Sequence, residues 1–202
     1  MEYATSQIQL RGTLVNEPEF SHENHGKTFY RFLLEVPRLS GTSDILPVIA
    51  ESGHLLQLKT PGTILYIAGQ IRSHNIRSDG KRHLLVFVFA MNILCESGDS
   101  INDCVVEGFL CREPIYRKTP MGREICDIML AVPRSYHRAD YLPCILWGKT
   151  ARQISQCHIR DKIQIIGRLQ SRNYTKQTNA GAEIRTAYEV SALSAQVILD
   201  AE

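Results

Sequence analysis

The stretch Gly12-Thr-Leu14-Val-Asn-Glu17-Pro18 returns 96 residues later as Gly108-Phe-Leu110-Cys-Arg-Glu113-Pro114. Outward from it, residues 12–58 align without a gap to residues 108–154, with 14 identities in 47 positions. Among them are Val36-Pro37-Arg38 on Val132-Pro133-Arg134 and Asp44 on Asp140. A two-residue shift continues the match, laying Ile67-Ala-Gly69-Gln-Ile-Arg-Ser73-His-Asn75 on Ile165-Ile-Gly167-Arg-Leu-Gln-Ser171-Arg-Asn173. A further shift brings residues 86–90 onto 187–191. Self-similarity at a fixed offset marks a duplicated structural unit. The 202 residues therefore read as two copies of one domain, 1–95 and 104–202, joined by the polar, turn-rich segment 96–103.

Each copy reads as all-β with one short helix. Ile8-Gln-Leu10-Arg-Gly12-Thr-Leu14 alternates apolar and polar residues, the period of a half-buried strand. Residues 29–36, 45–50, 64–73 and 84–93 complete five strands, and 53–58 is a short helix between the third and fourth. The second-copy counterpart of that helix, 149–157, sets Ala151, Ile154 and Cys157 near helical spacing. The order βββαββ predicts two tandem OB-fold (five-stranded Greek-key) barrels. Gly12 and Gly108 would mark a sharp bend in each first strand. Two small β-sandwiches are the competing architecture, and the lone helix after the third strand speaks against them.

Composition narrows the function. With 44% hydrophobic and 22% charged residues the chain is an ordinary globular one, which excludes long disorder and collagen. No apolar run approaches the ~18–20 residues of a membrane span. Met1-Glu-Tyr-Ala-Thr5 lacks the basic and apolar regions of a secretory signal, so a cytoplasmic, nucleoid-associated location is expected. The net charge of +2 conceals an asymmetry: residues 1–100 carry 9 Lys+Arg against 10 Asp+Glu, and residues 101–202 carry 14 against 11. The second copy thus suits an acidic partner. Of the six cysteines none forms a C-x-x-C pair, and Cys104, Cys111, Cys126 and Cys144 read as small buried hydrophobes. Gly148-Lys149-Thr150 is not a P-loop, because Pro143 stands where that loop needs its first glycine. No zinc-protease or serine-hydrolase motif and no acidic metal cluster appears, so no enzyme activity, metal or cofactor is expected.

The second copy carries a family resemblance. Gly108-Phe-Leu-Cys-Arg-Glu-Pro-Ile-Tyr-Arg-Lys-Thr-Pro-Met-Gly122 resembles the opening of bacterial single-stranded DNA-binding proteins, where a glycine, an acidic-Pro pair and a Thr-Pro-x-Gly turn recur in this order. Leu130-Ala-Val-Pro-Arg134-Ser-Tyr136 and Asp140-Tyr-Leu-Pro-Cys-Ile-Leu-Trp-Gly-Lys149 resemble two of that family's inner segments, and Ile166-Gly-Arg-Leu-Gln-Ser-Arg-Asn-Tyr174 resembles its fourth strand. Two such domains in one chain resemble the two-OB members of the family.

The resemblance implies sequence-independent binding of single-stranded DNA, with RNA left open, by stacking bases on rings inside a cationic groove. It assigns the rings to Tyr141, Trp147 and Tyr174, with Tyr136 beside them. Arg134, Arg138, Lys149, Arg168, Arg172 and Lys176 interleave with these rings, and Arg112, Arg117 and Lys118 lie near the first turn, all as phosphate-neutralising candidates. The first copy has Ile45, Glu51 and Ile76 at the three ring positions and keeps a basic patch of Arg72, His74, Arg77, Lys81, Arg82 and His83. Weak binding and a role in assembly are expected of it. The family's habit of joining four OB domains implies a homodimer, with the first strands, 8–14 or 105–110, as exposed edges for the interface. Family members commonly end in an acidic tail that recruits repair proteins. Here Ile198-Leu-Asp-Ala-Glu202 follows the last strand directly, so a specialised, accessory, phage-like or mobile-element role is expected rather than the general replication role, without recruitment by that route. The rival reading is an OB-fold adaptor of a primosome-like assembly with weak DNA binding.

Overall fold

The computed structural model describes residues 5–58, 60–78, 81–178 and 181–199, without the side chains of residues 56, 57, 78, 81, 82 and 178. The chain end at 200–202 and the Lys81 and Arg82 side chains of the expected basic patch lie outside the described residues. The first half runs β1 (Ser6–Leu14), β2 (Glu19–Asn24), β3 (Lys27–Pro37), β4 (Ser43–Glu51), a 3-10 turn (Ser52–Gln57), β5 (Ile64–Ser78) and β6 (Lys81–Cys95). The second runs β7 (Ile101–Leu110), β8 (Ile115–Lys118), β9 (Glu124–Arg134), β10 (Arg138–Trp147), helix α1 (Gly148–Ile154), β11 (Lys162–Thr178) and β12 (Gly181–Ile198). In each half five strands close on themselves. The order β3-β4-β6-β5-β1 returns to β3 through Thr13↔Glu35, and β9-β10-β12-β11-β7 returns to β9 through Phe109↔Ala131. These are two tandem OB-fold barrels, as the strand order predicts.

Closure explains the repeated glycine. β1 pairs with β5 up to Thr13 and with β3 from Thr13 onward, so Gly12 sits where three strands crowd together. A Cβ there would stand 2.2 Å from the Glu35 carbonyl oxygen, and one at Gly108 would stand 2.8 Å from that of Ala131. Close backbone approach, rather than an unusual φ, demands glycine. The inward positions of β1, β3 and β4 alternate as their sequences do, burying Ile8, Leu10, Leu34, Val36, Leu46 and Val48; Cys104, Leu110, Leu130, Val132, Leu142 and Cys144 do the same in the second barrel. Burial pushes the Cys104 thiol up to about 12. Cys111, expected inside, is exposed, because it lies just past the end of β7 and bonds the Met129 carbonyl from outside.

Three features depart from the sequence reading. β2 and β8 are added strands that hairpin onto β3 and β9; Glu-Phe-Ser-His-Glu-Asn is exposed along nearly its whole length and offers no alternation to read. Residues 101–103, assigned to the connection, belong to β7, since Ile101, Asn102 and Asp103 pair with Arg11, Leu10 and Gln9. Sheet pairing overrides their polarity. Finally, β11 and β12 make a longer hairpin than β5 and β6: Ile76 opposes His83 near one tip, whereas Tyr174 opposes Arg185 in the other. The last strands therefore correspond as Val88 to Val190, both buried opposite Val48 and Cys144, one residue away from the alignment read in the sequence.

The barrels join edge to edge. β1 and β7 run antiparallel from Ser6↔Val106 to Arg11↔Ile101, making one twelve-stranded sheet. This corrects the expected dimer interface: the two first strands are not free edges but pair with each other inside the chain. Two reciprocal contacts lock the junction. The Asp44 carboxylate, buried, accepts from Arg38 at 2.8 and 2.5 Å and from the Ser171 N–H at 2.6 Å, while Arg38 also donates to the Ser171 carbonyl. Asp140, equally buried, accepts from Arg134 at 3.3 Å and from the Ser73 N–H at 2.7 Å, and the Tyr141 N–H donates to the Ser73 hydroxyl. The repeated Arg, Asp and Ser are thus the clasps between the copies.

Candidate nucleic-acid interface

The outward face of β10, β12 and β11 gathers six of the thirteen predicted residues. Val190 points into the second barrel, so its odd-numbered neighbours on β12 point out. Cross-strand partners share a face, and the register sets Arg168 opposite Ser191, Gln170 opposite Glu189, Arg172 opposite Ala187, Tyr174 opposite Arg185 and Lys176 opposite Glu183. On the other side β10 contributes Tyr141 and Trp147, whose burial alternates with Leu142, Cys144 and Leu146. Tyr141, Trp147 and Tyr174 are 42%, 41% and 39% exposed, so each ring is seated in the sheet yet open to solvent. The Trp147 indole N–H donates to the Ser191 hydroxyl at 3.3 Å, which ties it to the middle strand.

The cations of this face are only partly neutralised. Arg172 lies 3.5 Å from Glu189, and the Nε of Arg168 is buried with no hydrogen-bond partner. Lys176 stands at the end of the row, half-buried opposite Glu183. The face can therefore hold planar rings against tyrosine and tryptophan while presenting guanidinium groups to anions between them.

Other candidates lie apart. Arg134 is engaged with buried Asp140 at the junction. Tyr136 lies in the exposed β9–β10 turn and Arg138, also exposed, opens β10, and Lys149 stands exposed in the first turn of α1, two residues past Trp147. Arg112 follows β7, and Arg117 and Lys118 lie on β8, the far edge of the sheet. Arg117 is paired with Asp127 at 2.9 Å. Beside it Glu124 takes the Arg152 guanidinium and the Tyr116 hydroxyl, and Arg152 first, then Tyr116, draws the Glu124 carboxyl down to about 2.

The matching face of the first barrel is built differently. Ile45 and Glu51 on β4 and Ile76 on β5 replace the three rings, and Glu51 is bound to Lys27 at 2.9 Å. Two rings missed in the sequence stand on β6 instead: Phe87 and Phe89, opposite Arg72 and Gln70, where the second barrel has Glu189 and Ser191. The one-residue slip in the sequence alignment had turned these positions to the other face. Phe89 packs against Phe29 at 6.0 Å, Phe29 stacks on His22 at 4.8 Å, and the Arg72 guanidinium lies over Phe89 at 5.4 Å. This apolar face is covered by its own neighbours. Among the described residues no group of His, Cys, Asp and Glu could hold a metal ion, and no helix is long and apolar enough to cross a membrane.

Fold and site together define a tandem OB-barrel protein with a ring-and-cation face on its second barrel. A sequence profile described as the Single-strand binding protein family matches residues 101–198. Single-stranded DNA-binding protein B of Bacillus subtilis is 32% identical over 83 residues, covering 38% of this chain and 74% of that protein. Single-stranded DNA-binding protein 1 of Lactococcus lactis is 33% identical over 84 residues, 38% of this chain and 56% of its own. The chain spans about half the length of the Lactococcus lactis relative. The crystal structure of wild-type single-stranded DNA binding protein from Thermus aquaticus superposes with a TM-score of 0.79 at 22% identity, over 98% of this chain and 94% of that one, so the two-barrel architecture is shared. The chain belongs to the single-strand binding protein family.

Proposed function

We propose that the protein binds single-stranded DNA without sequence preference, chiefly through the outward face of β10, β12 and β11. One observation carries this reading: three half-exposed rings and three cationic side chains share a continuous three-strand surface. Every base has a π-face and every nucleotide a phosphate, so such a surface grips strands irrespective of sequence. The names of the relatives support the ligand. RNA differs by a 2′-hydroxyl but offers the same rings and phosphates, and it is expected to bind by the same means.

The protein's single tryptophan supplies the test. Oligo-dT at low salt should quench Trp147 fluorescence, and the quench should shrink as salt rises. Trp147 is 41% exposed, so absence of a quench would favour the adaptor reading rather than a hidden indole. A homodimer bringing four barrels together remains part of the proposal. With β1 and β7 spent on each other, its surface would be the outward side of the central strands, where Leu94, Val105 and Ile166 are exposed. A monomeric mass by light scattering would overturn that part. Work in replication, repair or recombination follows from the ligand.

A further inference from the structure

The two junctions between the barrels repeat one frame, but only the second is cationic and ring-bearing. Around the Arg38–Asp44 clasp the chain places Ser40, Thr42 and Gln170, and Glu189 is near enough to act on the Arg38 charge. Around the Arg134–Asp140 clasp the corresponding positions hold Tyr136, Arg138 and Arg72. A cleft of about 1040 Å³ opens at this second junction, with Gln70, Arg72, Arg134, Tyr136, Arg138 and Asp140 on its walls. That is just above the ~300–1,000 Å³ of ordinary ligand clefts.

The cleft holds more positive charge than it can satisfy. Among the described residues on its walls Asp140 is the one carboxylate, and Arg134 and the Ser73 N–H already use it. Arg72 bonds to the neutral Gln70 and rests on Phe89. Burial, and then the charge of Arg134, lower the pKa of Arg72 against the pull of Asp140, which is the signature of a cation short of a counter-charge. An anion entering here would replace lost solvation and relieve the repulsion between guanidiniums. At the mouth the Tyr136 ring is 91% exposed. Tyr136 and His137 hold φ of 60° and 53°, a left-handed turn for which the sister turn uses Gly41 at 84°. Side chains kept in a conformation better suited to glycine cluster at functional positions.

We propose that a single nucleic-acid strand crosses from one barrel to the other through this cleft, with Arg72 and Arg138 on its phosphodiesters and a base stacked on Tyr136, and that the other junction carries no strand. The proposal rests on the single-strand reading above and adds the route, making the two-barrel surface directional. A phosphodiester chain satisfies both features at once, since it brings an anion and a flat ring in alternation.

The test gives the second junction the residues of the first. Arg72→Gln with Arg138→Thr is one variant; Tyr136→Ser, in an exposed turn and unable to unfold the barrel, is another. Each is titrated with oligo-dT of about 10 nucleotides, within the reach of one barrel, and of about 30 nucleotides, enough for two at ~4–16 nucleotides per OB fold. The expected result is a loss of about tenfold or more for the long oligonucleotide, with the short one bound within about twofold of the unaltered protein. The salt slope for the long oligonucleotide should fall by about 1.4 in the double variant, at ~0.7 per phosphate contact. Unchanged long-oligonucleotide binding in both variants would overturn the crossing. Equal losses at both lengths would also overturn it, by making the cleft part of the second barrel's own face. If the unaltered protein binds neither length, the failure belongs to the underlying reading and not to the route.

Discussion

Trp147 and Glu51 occupy the same place in two copies of one barrel, and so do Tyr174 and Ile76. One copy presents rings and permanent cations. The other presents aliphatic side chains, a paired carboxylate, and Phe89 covered by Arg72. The positions at which the copies agree have a different character. Gly12 and Gly108 permit closure, Leu34 and Leu130 fill the cores, and Arg38–Asp44 and Arg134–Asp140 clasp the barrels together. Identity between the copies therefore reports the frame, and difference reports the use to which each face is put.

The largest effect is expected where the clasps are broken. Asp44 accepts four hydrogen bonds counting that of the Ser171 hydroxyl, whereas Asp140 accepts two from the corresponding groups. Removing a buried partner strands the cation and the amide that relied on it. Asp44→Ala should cost about 3 kcal/mol, the low end for a buried pair because Arg38 is partly solvated. Asp140→Ala should cost about 1–2 kcal/mol, the price of unsatisfied partners. Urea unfolding of both variants measures the difference, and an equal or reversed order would mean that the two clasps are not unequal as drawn.

The next effect separates the faces. Trp147→Ala and Tyr174→Ala should each weaken binding of a short oligo-dT by about 1–3 kcal/mol, the worth of one stacked base. Ile76→Ala, at the matching position of the first barrel, should leave it unchanged within about twofold. A comparable loss from Ile76→Ala would show that the strand lies over the first barrel as firmly as over the second.

How much of this was legible follows from the same physics. Strands with one buried side announce themselves by alternation, so β1, β3, β4 and their counterparts could be read from the residues. β2 could not, because a strand exposed along nearly its whole length has no reason to alternate. The ring positions Tyr141, Trp147 and Tyr174 came from a motif resemblance, and the register then gathers them on one face. Arg134 shows a limit of the sequence, since a repeated arginine beside a tyrosine looks like a phosphate contact while its carboxylate partner, six residues on, is visible only in the folded junction. Phe87 and Phe89 escaped because the longer β11–β12 hairpin shifts the last strand, and a single residue of slip exchanges the inside of a sheet for the outside.

The smallest expected effect tests whether the first face is used at all. Glu51 stands where Trp147 stands in the second barrel and is held by Lys27 at 2.9 Å, both side chains well exposed. A surface pair of this kind contributes only about 0–1 kcal/mol, so Glu51→Gln should barely alter stability. It releases the Lys27 ammonium and removes a negative charge. If a long strand runs over this barrel after the second, the freed lysine gains a phosphate, and the salt slope should steepen by about 0.7 for an oligonucleotide of about 30 nucleotides. An oligonucleotide confined to the second barrel never meets Glu51 and should keep its slope. A steeper slope at both lengths would point to a general change in surface potential, and no change at either would mean that the first barrel's face stays out of the strand's path, its paired carboxylate marking the edge of the binding surface.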